Sequence, residues 1–165
     1  MDTHLELIPA TRIGAEYPNG TFKSERHFFD FVLDGQSLWE RVGKPNDMVS
    51  ILCVDYAVEE TIEAVNRLLL AEKPNLPNGR RSLFICSECG DIGCGAVTAM
   101  VTKVGDSIMW EKFGYENNYE NRVILDDYLD VGPFTFNAVE YERTLLRAIE
   151  KLRRGAGGSG VDRVQ

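Results

Sequence analysis

The chain predicts an α+β domain: a mostly antiparallel sheet with two principal helices packed against it. Three observations carry that expectation. Residues 96 to 113 read as two strands joined at Gly105-Asp106, the pattern of a β-hairpin. Only two stretches, starting near Val58 and Asn137, repeat apolar residues at helical spacing. The order strand, strands, helix, strand, hairpin, helix offers more hairpins than crossovers, which favours antiparallel pairing. A chain of 165 residues fits a single domain with a core of normal size.

Taken in order, His4 to Ile8 alternates weakly as a first strand, and Pro18-Asn19-Gly20 is a turn by its residue types. Phe22 to Leu33 is rich in aromatic and branched residues and ends at Asp34-Gly35, after which the chain pairs back as a hairpin. Val42 to Asn46 breaks regular structure. Met48 to Val54, MVSILCV, is almost continuously apolar and reads as a central strand covered on both faces. Val58, Ile62, Val65 and Leu69 form the apolar stripe of a first helix, with Glu59, Glu60, Glu63 and Arg67 on its other face. Pro74, Pro77 and Asn78-Gly79 end it. Arg81 to Cys86 is a short strand. Ala96 to Lys103 alternates like an exposed one and returns through Ser107 to Phe113. Asn137 with Glu140 three residues on forms a capping box for the last helix; Leu145, Ala148, Ile149 and Leu152 face the core, and Gly155 closes it. The domain therefore spans residues 1–154. Residues 155–165, GAGGSGVDRVQ, read as a flexible glycine-rich tail.

Composition narrows the function. The chain has 26 acidic and 18 basic residues and a formal charge of -8. That field repels phosphate backbones and argues against direct nucleic-acid binding; the one dense basic cluster, Lys151-Leu152-Arg153-Arg154, suits the C-terminal end of a helix dipole. No run approaches the roughly 20 apolar residues of a membrane span. The N-terminal MDTHLELIPATR has neither a secretory nor a transit pattern, so a bacterial-type cytoplasm with reduced cysteines is expected. An acidic surface suits a basic protein partner, because complementary fields speed encounter.

The least generic segment is Cys86 to Ala96, CSECGDIGCGA. A zinc site needs four ligands when it is structural, and Cys86, Cys89 and Cys94 supply three. Cys53 and His27 are the only further candidates in the body of the chain. A thioredoxin-like pair would open a helix, whereas Gly90-Asp91-Ile92-Gly93 suits a turn. The remaining alternative is that Gly90, Gly93 and Gly95 build a tight connection and the cysteines fill space beside it. This turn reading is the one expected, and with it no metal and no cofactor.

Classical catalytic equipment is missing. His4 lies near a terminus and His27 sits in a strand-like context, and there is no nucleophile elbow, phosphate loop or complete dinucleotide fingerprint. No catalytic residue is assigned. Asp126, Asp127 and Asp130, with Glu116 and Glu120, read as a solvated acidic rim, and Trp110, Phe113, Tyr115 and Tyr119 interleave aromatic rings with charge. Trp110 and Phe113 read equally well as core.

The segments Cys-x-x-Cys-Gly-Asp-x-Gly-Cys-Gly, Trp-x-x-Phe-Gly-Tyr-x-Asn-Asn-Tyr and Gly-Pro-Phe-x-Phe resemble a family of small uncharacterised bacterial proteins. The matching residues are Cys86, Cys89, Gly90, Asp91, Gly93, Cys94 and Gly95; Trp110, Phe113 to Tyr115 and Asn117 to Tyr119; and Gly132 to Phe134 with Phe136. This resemblance covers the second half of the chain and implies no established reaction. In size, acidity and lack of catalytic equipment the chain is also similar to immunity proteins of contact-dependent growth inhibition. That similarity implies a cytoplasmic protein, not an enzyme, that neutralises a cognate toxin, a basic nuclease in character. Glu116, Tyr119, Glu120, Asp126, Asp127 and Asp130 are the expected contact surface. The alternative is a thiol- or zinc-dependent enzyme centred on Cys86, Cys89 and Cys94.

Overall fold

The computed structural model describes residues 2–76, 78–90, 92–117, 119–120 and 122–164, with side chains described up to Gly155 except at Ile92. Asp91 and Asn118, both in the motifs above, lie outside the described residues. The fold is α+β with antiparallel pairing throughout, as the hairpin count predicts.

Strand β1 (Leu5–Arg12) pairs with the next long strand, and β2 (Ala15–Glu16) with β3 (Phe22–Lys23) makes a small separate ribbon. The long strand β4 (Arg26–Leu33) lies between β1 and the short β5 (Gln36–Ser37). Pro9 is accommodated because β1 is an edge strand, where a missing N–H leaves no ladder bond unmade. A second sheet has the order β10-β9-β8-β7-β6, built from β6 (Met48–Ser50), β7 (Arg81–Cys86), β8 (Ala96–Val104), β9 (Ser107–Glu116) and β10 (Phe134–Asn137).

The apolar run Met48 to Val54 is therefore not a central strand. Its first three residues form the edge strand β6, and the chain then leaves that sheet to meet the other one: Phe29 N donates to Leu52 O, Val54 N donates to His27 O, and Phe28 and Cys53 form an isolated bridge. The run is thus hydrogen-bonded to β7 along its first part and to β4 along its second, and the residues from Met48 to Cys53 are all buried. β8 also differs from expectation. Ala96 to Ala99 are buried on both faces, and alternation begins only beyond Met100.

Helix α1 (Val58–Leu68) packs on β7, and α2 (Ala138–Val164) packs on α1, β1, β9 and β10. Asn137 caps α2 as expected, its Oδ1 accepting from Glu140 N at 3.1 Å. The helix continues past Gly155, where the sequence reading stops it. Its hydrogen bonds use backbone alone, so glycine disfavours each turn by only about 1 kcal/mol per residue relative to alanine. None of the described helices is long and apolar enough to cross a membrane.

Trp110 settles as core. Its ring meets Phe31, Phe136 and Tyr141 edge-on, and its Nε1 donates to Tyr141 Oη, which donates in turn to Leu68 O. One side-chain relay thus joins β9, α2 and α1. Phe113 is buried as well.

Candidate functional site: three thiols beside a cleft

Cys86 is the last residue of β7, Cys89 follows in the turn, and Cys94 ends a short 3-10 segment, Ile92–Cys94. The chain folds back on itself there: Gly90 N donates to Cys86 O at 3.0 Å, with Gly90 at φ +68°. A side chain at Gly90 would also press on the Tyr56 ring, 3.2 Å from where its Cβ would lie. Glycine is required twice over. The three sulfurs lie within 4.8 Å of one another, and Cys89 Sγ and Cys94 Sγ are 3.0 Å apart. Thiolates bound tetrahedrally at about 2.3 Å from zinc sit about 3.8 Å apart, so the cluster already brackets the spacing the ion needs.

Cys53 does not join them. β6 pairs with β7 so that Met48 stands opposite Cys86, which carries Cys53 five residues further on into the bridge with Phe28. There burial pushes its thiol up to about 11. His27 is likewise elsewhere, its Nε2 3.2 Å from Glu25 and its Nδ1 3.5 Å from Asp55. The thioredoxin-like alternative expects Cys86 and Cys89 as its pair at a helix start, whereas Cys86 ends β7 and Cys89 follows in a turn, 3.0 Å from the Cys94 sulfur.

The thiols differ in acidity. Burial opposes ionisation of Cys86, but the backbone amides of Cys89 and Glu88 and the neighbouring thiols donate to its sulfur and hold its pKa below the ordinary thiol value. Cys94 moves the other way, pushed up to about 12 by its hydrogen bond with Cys89 and by the charge on Cys86. A soft cation would replace the protons that these sulfurs otherwise share.

The turn is held from three directions by residues the sequence reading did not single out. The Tyr56 hydroxyl lies 3.0 Å from Cys86 O and 2.7 Å from Ser87 O. Arg26 donates through Nε to Ser87 O and stacks over the Tyr56 ring. Glu88, inside the Cys-x-x-Cys segment, accepts from Arg12 Nη1 at 2.7 Å and from Ser24 N and Oγ. These bonds from Arg12 and Ser24 hold its carboxyl down to about 2. Arg12 also forks onto Asp47, at 2.9 and 2.7 Å. Such outer contacts fix the direction of coordinating side chains.

Beside the thiols lies a cleft of about 420 Å³ between α1 and β7, with Cys89 and Gly90 in its lining. Glu60, Glu63 and Arg67 come from the polar face of α1, while Ile51, Ile85 and Tyr56 supply apolar surface. The spacing of Glu60, Glu63 and Arg67 was visible in the sequence as a helical stripe; the wall it faces was not.

The expected acidic contact surface is only partly assembled. Glu116 is 5% exposed and leaves it: the carboxylate accepts from Arg80 Nε at 3.0 Å and from Asn78 Nδ2 at 2.8 Å. A bulge where β8 pairs with β9 explains this. Lys112, at φ +54°, interrupts the ladder, and Arg80 fills the gap by donating to Thr98 O and Lys112 O. Glu116 neutralises the arginine brought in to do so. Asp126, Asp127 and Asp130 remain exposed, as do Glu120 and Tyr119, although Glu120 pairs with Arg122 at 3.3 Å and Asp130 with Arg41 at 3.5 Å.

No protein-family model, curated protein or solved structure matches the chain.

Proposed function

We propose that this is a thiolate-metal protein that holds one zinc ion on Cys86, Cys89 and Cys94 and keeps the fourth position for an exchangeable ligand. The convergence of the three sulfurs within 4.8 Å carries the reading. Two considerations favour ligand exchange over a purely structural ion. Among the described residues no fourth His, Cys, Asp or Glu joins the cluster, and three protein ligands with one open position is the arrangement of zinc sites that act on a ligand. The core around Trp110 is also extensive, so the fold does not depend on a metal staple.

The test is elemental analysis of protein purified under reducing conditions, followed by cobalt substitution. One zinc per chain and a sulfur-to-cobalt charge-transfer band are expected. Protein that arrives without metal and takes up no cobalt would sink the reading. Tyr56→Phe, which removes the hydroxyl holding the turn, is expected to weaken cobalt binding about 10-fold or more while the fold is retained.

The exposed loop after β9 favours a second reading, an immunity protein that covers a basic toxin. Leu129 is 78% and Tyr119 84% exposed, and Asp126, Asp127 and Asp130 share the Leu129 segment, which sets apolar anchors among acidic charge. Reversing the three aspartates to lysine is expected to weaken capture of a basic partner steeply, with an effect that fades as salt rises. Unchanged affinity for a partner co-purified from the native host would remove this surface from consideration.

A further inference from the structure

Three thiolates around a divalent zinc make a soft sulfur donor set, which favours a polarisable fourth ligand, and leave a net charge of about -1, which favours a ligand that carries a positive group of its own. A thiol meets that demand. On binding, the exchangeable ligand at the fourth position departs to solvent, the S–H bond is replaced by a sulfur–zinc bond, the proton leaves to solvent, and no electron is transferred.

The cleft specifies what else such a ligand carries. Glu60 and Glu63 lie on one wall, and the Arg67 guanidinium is already 3.4 Å from Glu63, so the wall keeps one uncompensated negative charge. An ammonium group is the complementary partner. Ile85 and the Tyr56 ring offer apolar surface for a short methylene chain. Cys89 belongs both to the lining of the cleft and to the sulfur cluster, which brings ligand and metal together.

Resting on the three-cysteine metal reading, we propose that the fourth ligand is the sulfur of a small amino thiol whose ammonium group is held by Glu60 and Glu63 in the cleft between α1 and β7.

Cobalt-loaded protein distinguishes the two levels of the proposal, with cysteamine, mercaptoethanol and mercaptopropionate as probes. Cysteamine is expected to raise the sulfur-to-cobalt intensity by about one third, a fourth thiolate joining three. It is expected to bind roughly two- to fivefold more tightly than neutral mercaptoethanol, the range of an exposed charge pair, with mercaptopropionate weakest. Glu60→Gln with Glu63→Gln is expected to erase the preference for cysteamine and leave cobalt uptake intact, both side chains being exposed. A cobalt band that none of the thiols changes overturns this inference and leaves the metal reading standing. Equal binding of all three thiols overturns the role of the carboxylates. Absence of any cobalt band overturns the metal reading and this inference with it.

Discussion

Cys89→Ser is expected to abolish stoichiometric zinc or cobalt uptake with almost no change in folding stability. Removing one of three thiolates should weaken binding by more than the roughly 10- to 100-fold that outer contacts are worth. The thiol is exposed, and Tyr56, Arg26 and Glu88 fasten the turn beside it, so a stability change within about 0.5 kcal/mol is expected. Cys53→Ser gives the opposite pattern. Cys53 is fully buried, with its Sγ 3.9 Å from Asp55 Oδ2, so serine there replaces a packed sulfur by a smaller hydroxyl, with an expected loss of about 1–3 kcal/mol and unchanged metal uptake. Metal content and urea unfolding measured on both variants check this. Equal metal loss in the two would mean that the site is assembled by the fold as a whole and not by the three clustered sulfurs.

The largest expected loss of stability comes from Arg80→Met. Three costs coincide: the buried Glu116 carboxylate loses its counter-charge, and Thr98 O and Lys112 O lose the donor that fills the bulge. Breaking a buried pair by removing one partner costs about 3–5 kcal/mol. Burial lowers the Arg80 pKa and the Glu116 charge opposes that shift, so the arginine stays in place only with its partner. Combining Arg80→Met with Glu116→Leu is expected to restore part of the loss, because no charge is then left unpaired. Urea midpoints at constant slope report both changes. A double variant no more stable than the single one would assign the loss to the orphaned carbonyls instead of the charge.

The same arginine shows where sequence reading reached its limit. Glu116 sits among Tyr115, Asn117 and Tyr119 and reads as one more surface acid, since nothing nearby marks it as buried. Its partner is 36 residues away and is brought over by the connection from α1 to β7. Composition and spacing describe neighbours along the chain, while burial of a charge depends on distant ones. Met48 to Val54 teaches the same lesson: the apolar run announces burial, but that its hydrogen bonds pass from β7 to β4 part-way along is a matter of topology.

Period-two and 3.6-residue patterns were sufficient for the hairpin of β8 and β9, the start of α1 and the Asn137 cap of α2, because those features are made by residues close in sequence. The cysteine spacing likewise marked Cys86, Cys89 and Cys94 as a group. Only the tertiary structure separated Cys53 from that group, placed Tyr56, Arg26 and Arg12 behind the turn, and set the Glu60–Glu63 face of α1 beside it. Local hydrogen bonds and side-chain periodicity are written in short stretches of chain. The meeting of three sulfurs with a charged cleft is set by how sheets and helices pack, and that packing is decided by the whole core at once.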